Sequence, residues 1–214
     1  MDTLFGKTLA ELTEIVLRLG LPKFTAKQLA DWLYKKDVSS IEEMTNLSKK
    51  ARALLQEDFV FGLSAPVKET VSKDGTKKYL FQTGENRFVE AAYIPDKDRA
   101  TLCLSCQTGC KMGCKFCNTG LQGFGGNLSV NQILNQIKSL PEKNTLTNLV
   151  FMGMGEPLDN LENILKALEI LTSDYGYAMS PHRITLSTVG VLPTLKDFLE
   201  KTDVHLAEIG RAHV

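Results

Sequence analysis

TLCLSCQTGCKMGCKFCNTGLQGFGGNL, residues 101–128, carries all five cysteines of a 214-residue chain, and its reading decides the rest. TLCLSC has the apolar run of a strand, and a cysteine- and glycine-rich loop follows it. Disulfide-stapled secreted domains spread their cysteines over many loops. Here they fall within fifteen positions, Cys103 to Cys117, in a chain with no apolar run long enough to span a bilayer and no basic, apolar leader at its start. Such clustering points to metal or redox chemistry and to a cytoplasmic setting. Cys110-x3-Cys114-x2-Cys117 can hold three corners of a cubane iron–sulfur cluster, leaving one iron open to chelate a small molecule and pass it an electron. Gly109 and Gly113 suit a tight loop, and Phe116 suits an apolar cover. Two other readings stand beside this one. Cys103, Cys106, Cys114 and Cys117 could form a four-thiolate zinc site, although its seven-residue interval is short and Cys110 is left idle. A redox disulfide pair is the third.

Downstream, strand and helix alternate. A helix is expected from Ser129 through Ser139, a buried strand in NLVFMGMG, a helix in LENILKALEILT, a strand in RITLST, a helix in PTLKDFLEK, and another strand near Val204. Near-continuous apolar strands between helices indicate a parallel α/β arrangement, and a closed barrel needs more units than these. Upstream, VKETVS and KKYLFQ flank the turn Lys73-Asp74-Gly75, and RFVEAAYI follows Gly84, so residues 66–100 read as an antiparallel strand element. Residues 1–65 read as helices. Leu9, Leu12, Val16 and Leu19 line one face; Thr25 caps a second helix, AKQLADWLYKK, with Leu29, Trp32 and Leu33 inward. Ser40 and Glu43 form a capping box, and Ser48 caps a helix with Ala51, Leu54 and Leu55 facing in. Lys35, Lys36, Lys49, Lys50 and Arg52 read either as a solvated face or as an RNA-contacting patch. With 25 basic and 25 acidic residues the net charge is zero. That argues against a strong non-specific nucleic-acid binder but leaves room for a local basic face.

The x3–x2 cysteine spacing with an aromatic residue before the last cysteine resembles the radical S-adenosylmethionine superfamily signature. TLCLSCQTGCKMGCKFCNTGLQGFGGNL, FTAKQLADWLYKK, MTNLSK, AAYIPDKDRATLC, GMGEPLDN and RITLSTVG resemble the dual-specificity 23S rRNA/tRNA adenine-C2 methyltransferase family, over roughly residues 20–207. The resemblance implies an incomplete (β/α) barrel of the radical S-adenosylmethionine type over 101–207, with a helical, RNA-binding-like domain over 1–65 and the antiparallel element between them. It implies a [4Fe–4S] cluster on Cys110, Cys114 and Cys117. S-Adenosylmethionine would lie at Gly155, Glu156 and Ser187, with Glu156 receiving its ammonium group. Glu90 would be the proton acceptor near the target adenine. Cys103 would resolve a covalent enzyme–RNA intermediate by forming a disulfide. The substrates implied are 23S rRNA and tRNA, the electron donor a flavodoxin-type protein, and the form a monomer away from membranes. One S-adenosylmethionine would methylate a cysteine, and a second would activate that methyl for transfer to adenine C2. A sister family acting at adenine C8 is the nearest alternative; a zinc-stabilised, non-catalytic RNA-binding module is a more distant one.

The sequence departs from the family pattern in two places. Cys106 stands where serine is common, and reads best as a small buried residue. Residues 208–214 read as a non-native tail replacing a cofactor-binding strand, so the methyl-carrying cysteine is expected to be missing and the fragment inactive. His182, His205 and His213 offer no substitute group.

Overall fold

The structure is a computed structural model, and it describes residues 1–209. The chain divides into two compact units, Met1–Leu63 with Lys166–Met179, and Ser64–Leu165 with Ser180 onward.

In the first unit, β1 (Asp2–Thr3) is followed by α1 (Leu9–Arg18), α2 (Thr25–Ala30) and α3 (Lys49–Asp58); β2 (Phe59–Val60) pairs in parallel with β1. Thr8 and Glu11 cap α1 reciprocally, each side chain accepting the other residue's N–H. Ser48 caps α3 by accepting the Ala51 N–H at 3.1 Å. Two expected caps differ. Thr25 is the buried first residue of α2, whose N-cap is Phe24 without a side-chain bond. Glu43 does gather the Ser39 and Ser40 N–H groups, yet no helix follows, because the segment folds into successive turns instead. The predicted long helix through Lys36 also changes pitch. Asp31–Lys35 is a π-helical turn closed by Lys36 N–H to Asp31 C=O at 3.2 Å, and its wider winding buries Trp32, Leu33 and Tyr34 in succession. Leu4, Phe5, Leu12, Leu29, Met44 and Leu55 form the floor of this core.

The second unit is built on one sheet. β3 (Lys68–Val71), β4 (Lys77–Gly84), β5 (Arg87–Asp96) and β6 (Arg99–Cys103) run antiparallel; β7 (Gln107–Gly109) then leads through α4 (Asn118–Leu121) to its partner β8 (Phe124–Asn127). After α5 (Val130–Lys138) come β9 (Asn148–Phe151), α6 (Leu161–Thr172), β10 (Ile184–Thr188), α7 (Thr194–Lys201) and β11 (His205–Glu208). The strand order is β11-β10-β9-β6-β5-β4-β3, parallel from β6 to β11. This is the mixed α/β architecture read from the sequence, as a seven-stranded open sheet. Residues 66–100 extend the same sheet that carries the β/α units. Glu208 is its last strand residue, and the Ile209 N–H reaches Thr188 C=O at 3.0 Å; residues 210–214 of the expected tail lie outside the described residues. Among those described, no helix is long and apolar enough to cross a membrane.

Side-chain alternation gives this sheet two unlike faces. Tyr79, Val89, Leu102, Leu149, Phe151 and Leu186 lie on one and are buried. Glu90, Ala92, Cys103, Val150, Thr185 and Ser187 lie on the other and stay half-buried or exposed.

Candidate functional site

Three of the expected site residues share that open face. Cys103 sits opposite Ala92, two residues from Glu90, and in line with Val150 and Thr185 on the neighbouring strands; Ser187 is one alternation beyond Thr185. Glu90, Cys103 and Ser187 thus project from β5, β6 and β10 in one direction. The Glu90 carboxylate meets Lys78 Nζ at 2.9 Å. Burial pushes the Cys103 thiol up, against the opposing pull of a hydrogen bond from the Met152 backbone, so it is a neutral thiol at neutral pH.

TLCLSC is a strand only as far as Cys103. Its continuation packs against the GMGEP segment, and the glycines explain how. A Cβ on Gly153 would stand 2.7 Å from Leu104 O, and one on Gly155, at φ +105°, 2.6 Å from Gln107 Cβ. Met154 C=O accepts the Cys106 and Gln107 N–H groups at 2.8 and 3.1 Å, while Gly153 N–H reaches Leu104 C=O at 3.0 Å. Ser105 Oγ donates to Glu90 C=O and accepts from Met154 N–H. Residues 104–107 and 153–156 are therefore two backbones laced together at a separation no side chain could share.

Glu156 is 3% exposed, and its carboxylate is turned into this scaffold. Oε1 accepts the Leu158 N–H at 3.0 Å and the Thr188 hydroxyl at 2.5 Å, and Oε2 accepts the Val189 N–H at 3.1 Å. Such a carboxylate ties the end of β9 to the end of β10. Three of its roughly four acceptor positions are thereby taken by the chain itself.

The loop bearing Cys110, Cys114 and Cys117 springs from the β7–β8 pair. Gly109, at φ +72°, passes so close to Gly123 that any Cβ would overlap its carbonyl, and Cys110 N–H donates to that carbonyl at 3.0 Å. Cys117 N–H to Cys114 C=O, 3.0 Å, makes the CxxC turn. The three thiols are part-exposed. Burial raises the Cys110 thiol, a backbone hydrogen bond at Met112 opposes the rise, and Glu156, Cys114 and Cys117 add to it. The thiols are not drawn to ligating distance: among the described residues no three His, Cys, Asp or Glu side chains are grouped to hold a metal. Phe116, on the same loop, is 67% exposed.

Glu90 opens onto a cleft of about 630 Å³ that Lys78, Gln122, Met154 and the residues on either side of the cysteine loop, Gly109 and Asn118, also line. Sequence reading missed the buried polar residues behind it. Gln107, Asn160 and Thr188 look unremarkable in a string, yet each is buried and engages its side-chain polar atoms with the scaffold. It also missed the approach of His182 Nδ1 to His205 Nε2, 3.2 Å, on neighbouring elements far apart in the chain.

Residues 3–60 match the model of the ribosomal RNA large subunit methyltransferase N-terminal domain, and residues 104–209 that of the radical SAM superfamily. The chain belongs to the RlmN family of radical SAM proteins. It is 62% identical, over 95% of its length, to the probable dual-specificity RNA methyltransferase RlmN of Bacteroides thetaiotaomicron. It is 44% identical over 92% to the dual-specificity RNA methyltransferase RlmN of Buchnera aphidicola. It spans 59% and 56% of those two proteins, respectively. A crystal structure of a radical SAM methyltransferase from Sphaerobacter thermophilus superposes with a TM-score of 0.88 at 35% identity, covering 97% of this chain and 63% of that one.

The donor set fits the iron–sulfur cluster expected of a radical SAM protein in kind and number. Three free thiols lie on one glycine-hinged loop, and the buried fourth, Cys106, points its Sγ at Met154 C=O, 3.6 Å away. The same geometry removes Cys106 from the four-thiolate zinc reading. All five cysteines are free thiols, so the disulfide expected at Cys103 is not formed.

Proposed function

We propose that this RlmN-family chain carries the cluster-binding and cofactor-binding half of an enzyme that methylates C2 of adenosine in 23S rRNA and in tRNA. The observation that carries the reading is the convergence of Glu90, Cys103 and Ser187 on one uncovered sheet face, with Glu90 lining a cleft that Gly109 and Asn118, the residues on either side of the three-cysteine loop, also line. Cys110, Cys114 and Cys117 would hold a [4Fe–4S] cluster, which supplies the electron for reductive cleavage of S-adenosylmethionine.

The chain's own residues do the rest. Gly155 keeps the segment beside the cofactor thin, so the backbone can approach it closely. Glu156 serves the cofactor by fixing that backbone, and Ser187 offers a hydroxyl from the next strand. Glu90, at the cleft rim, accepts the proton that leaves the adenine, and Lys78 beside it steadies the carboxylate. Cys103, protonated and half-covered, is held as a thiol until a partner sulfur reaches it. The implied setting is a monomer in the cytoplasm, reduced by a flavodoxin-type donor.

The test is electron paramagnetic resonance of anaerobically reconstituted, dithionite-reduced protein with and without S-adenosylmethionine. A cluster signal that shifts on adding the cofactor is expected, with iron lost in Cys110→Ser, Cys114→Ser and Cys117→Ser but kept in Cys106→Ser. Protein holding only zinc, with no iron signal, would overturn the reading. Mass spectrometry of RNA methylated by the uninterrupted gene product then places the methyl on C2 or on C8.

A further inference from the structure

Gln107 is fully buried, at the start of the short strand that delivers Cys110. Its amide is saturated by three different segments. Oε1 accepts the Glu156 N–H at 2.8 Å; Nε2 donates to Asn127 Oδ1 at 2.8 Å and to Asp159 Oδ2 at 2.7 Å. Asp159 in turn takes Lys111 Nζ, the residue after the first loop cysteine, at 2.9 Å. Lys111 also lies over the Phe124 ring, 4.3 Å from its centroid. One side chain therefore joins the cysteine loop, through Asp159 and Lys111, to the backbone of the glycine segment.

We propose that Gln107 is a positioning residue that couples the cysteine loop to the Gly153–Glu156 segment, so that the place of the cluster and the place of the cofactor's amino-acid end are set by one amide. The inference rests on the proposed function for what the two segments hold, but its mechanical content does not. Buried amides with every donor and acceptor engaged rigidify their surroundings, because any displacement leaves a polar group unpaired. Residues behind the ligands of a metal site commonly change its affinity by about 10- to 100-fold when removed. Gln107 touches neither a thiol nor the cleft, so its removal has to act through the segments it joins.

Gln107→Met keeps the length of the side chain and deletes both polar ends. Gln107→Glu keeps the acceptor toward Glu156 N–H but turns a carboxylate onto Asp159. Two measurements separate the coupling from general damage. Residue-resolved hydrogen exchange on cluster-free protein is expected to show faster exchange in Gln107→Met at the Glu156 N–H and also at the Cys110 and Cys117 N–H groups, with α5 unchanged. On reconstituted protein, bound iron is expected to stay near the wild-type content while the S-adenosylmethionine titration of the resonance signal moves to about 10- to 100-fold higher concentration. Adding Asp159→Asn to Gln107→Glu places an amide donor opposite the new carboxylate and is expected to restore most of the titration. Faster exchange at Glu156 alone, or a titration that superposes on wild type, overturns the inference. Failure of the broader reading shows separately, as a wild-type protein whose signal ignores the cofactor, and the exchange experiment still decides the coupling in that case.

Discussion

Two stretches of this protein are joined through Gln107, Asp159 and Lys111 and are built on opposite principles. Gly153–Glu156 is laced to Leu104–Gln107 by backbone bonds and lies so close to it that side chains are excluded. The loop from Cys110 to Cys117 presents part-exposed thiols and an exposed phenylalanine. The first has its shape before any ligand arrives. The second is anchored at Cys110 to Gly123 and at Lys111 to Asp159, and it leaves its thiols part-exposed, as suits the cluster-binding role proposed for it. A site of this kind can discriminate with its rigid half and adapt with its open half.

The comparison breaks most visibly at Gly155. Alanine there would need φ near +105° and would drive its methyl into Gln107, so Gly155→Ala is expected to cost about 4 kcal/mol in denaturant unfolding of the cluster-free protein. A loss below about 1 kcal/mol would mean that the glycine segment yields and is not the rigid half. Glu156→Ala comes next, at about 3 kcal/mol, because it leaves two N–H groups and the Thr188 hydroxyl without their acceptor.

These two positions also mark where sequence reading was sufficient and where it was not. The glycines of GMGEP were legible as a demand for close approach, since only glycine satisfies it. What approaches was not legible: a ligand was inferred, and the nearest neighbour is the chain's own strand extension. Glu156 was assigned to an ammonium group because an acidic residue beside a glycine turn invites one. The partners it has within the chain, Thr188 and Val189, lie more than thirty residues on and come close through the β9–β10 register. The strands and helices from β9 to β11 followed from periodicity, which is local. The π-helical turn at Asp31–Lys35 did not, because its cause is the core that receives Trp32, Leu33 and Tyr34.

A control away from both stretches is the Lys77–Glu142–Tyr79 group. Burial alone would raise the Glu142 carboxyl, but the Lys77 and Tyr79 hydrogen bonds, at 2.5 and 2.8 Å, outweigh it and hold the group below its usual 4.5. Burial, then the bond to Glu142, lifts Tyr79 to about 12. A carboxyl depressed on folding stabilises the native state above its unfolded value and loses that contribution as pH falls through the folded one. Glu142→Gln is therefore expected to cost about 1–2 kcal/mol at pH 7. It should also make the acid limb of the stability profile below pH 4.5 shallower than in wild type. An unchanged acid limb would show that the group carries no linked proton. Gly113→Ala, by contrast, tests the open loop: φ is +60°, yet the nearest atom to a new Cβ is 3.9 Å away. About 1 kcal/mol is expected, from the backbone alone.

The smallest effect should come from Cys106, and it bears on the ligand set. Its thiol is buried and donates to the Met154 carbonyl at 3.6 Å, while burial, with Glu156 and Cys110 nearby, keeps it firmly protonated. Serine is slightly smaller and can donate to the same carbonyl, so Cys106→Ser exchanges one weak hydrogen bond for a stronger one at the expense of a buried polar atom. Those terms oppose each other, and the net change in unfolding free energy is expected to stay within about 0.5–1 kcal/mol. Iron content should not change. If iron falls with Cys106→Ser as it does with Cys110→Ser, the Cys106 thiol is itself a ligand, and the rigid half of the site contributes to the cluster as well as the loop.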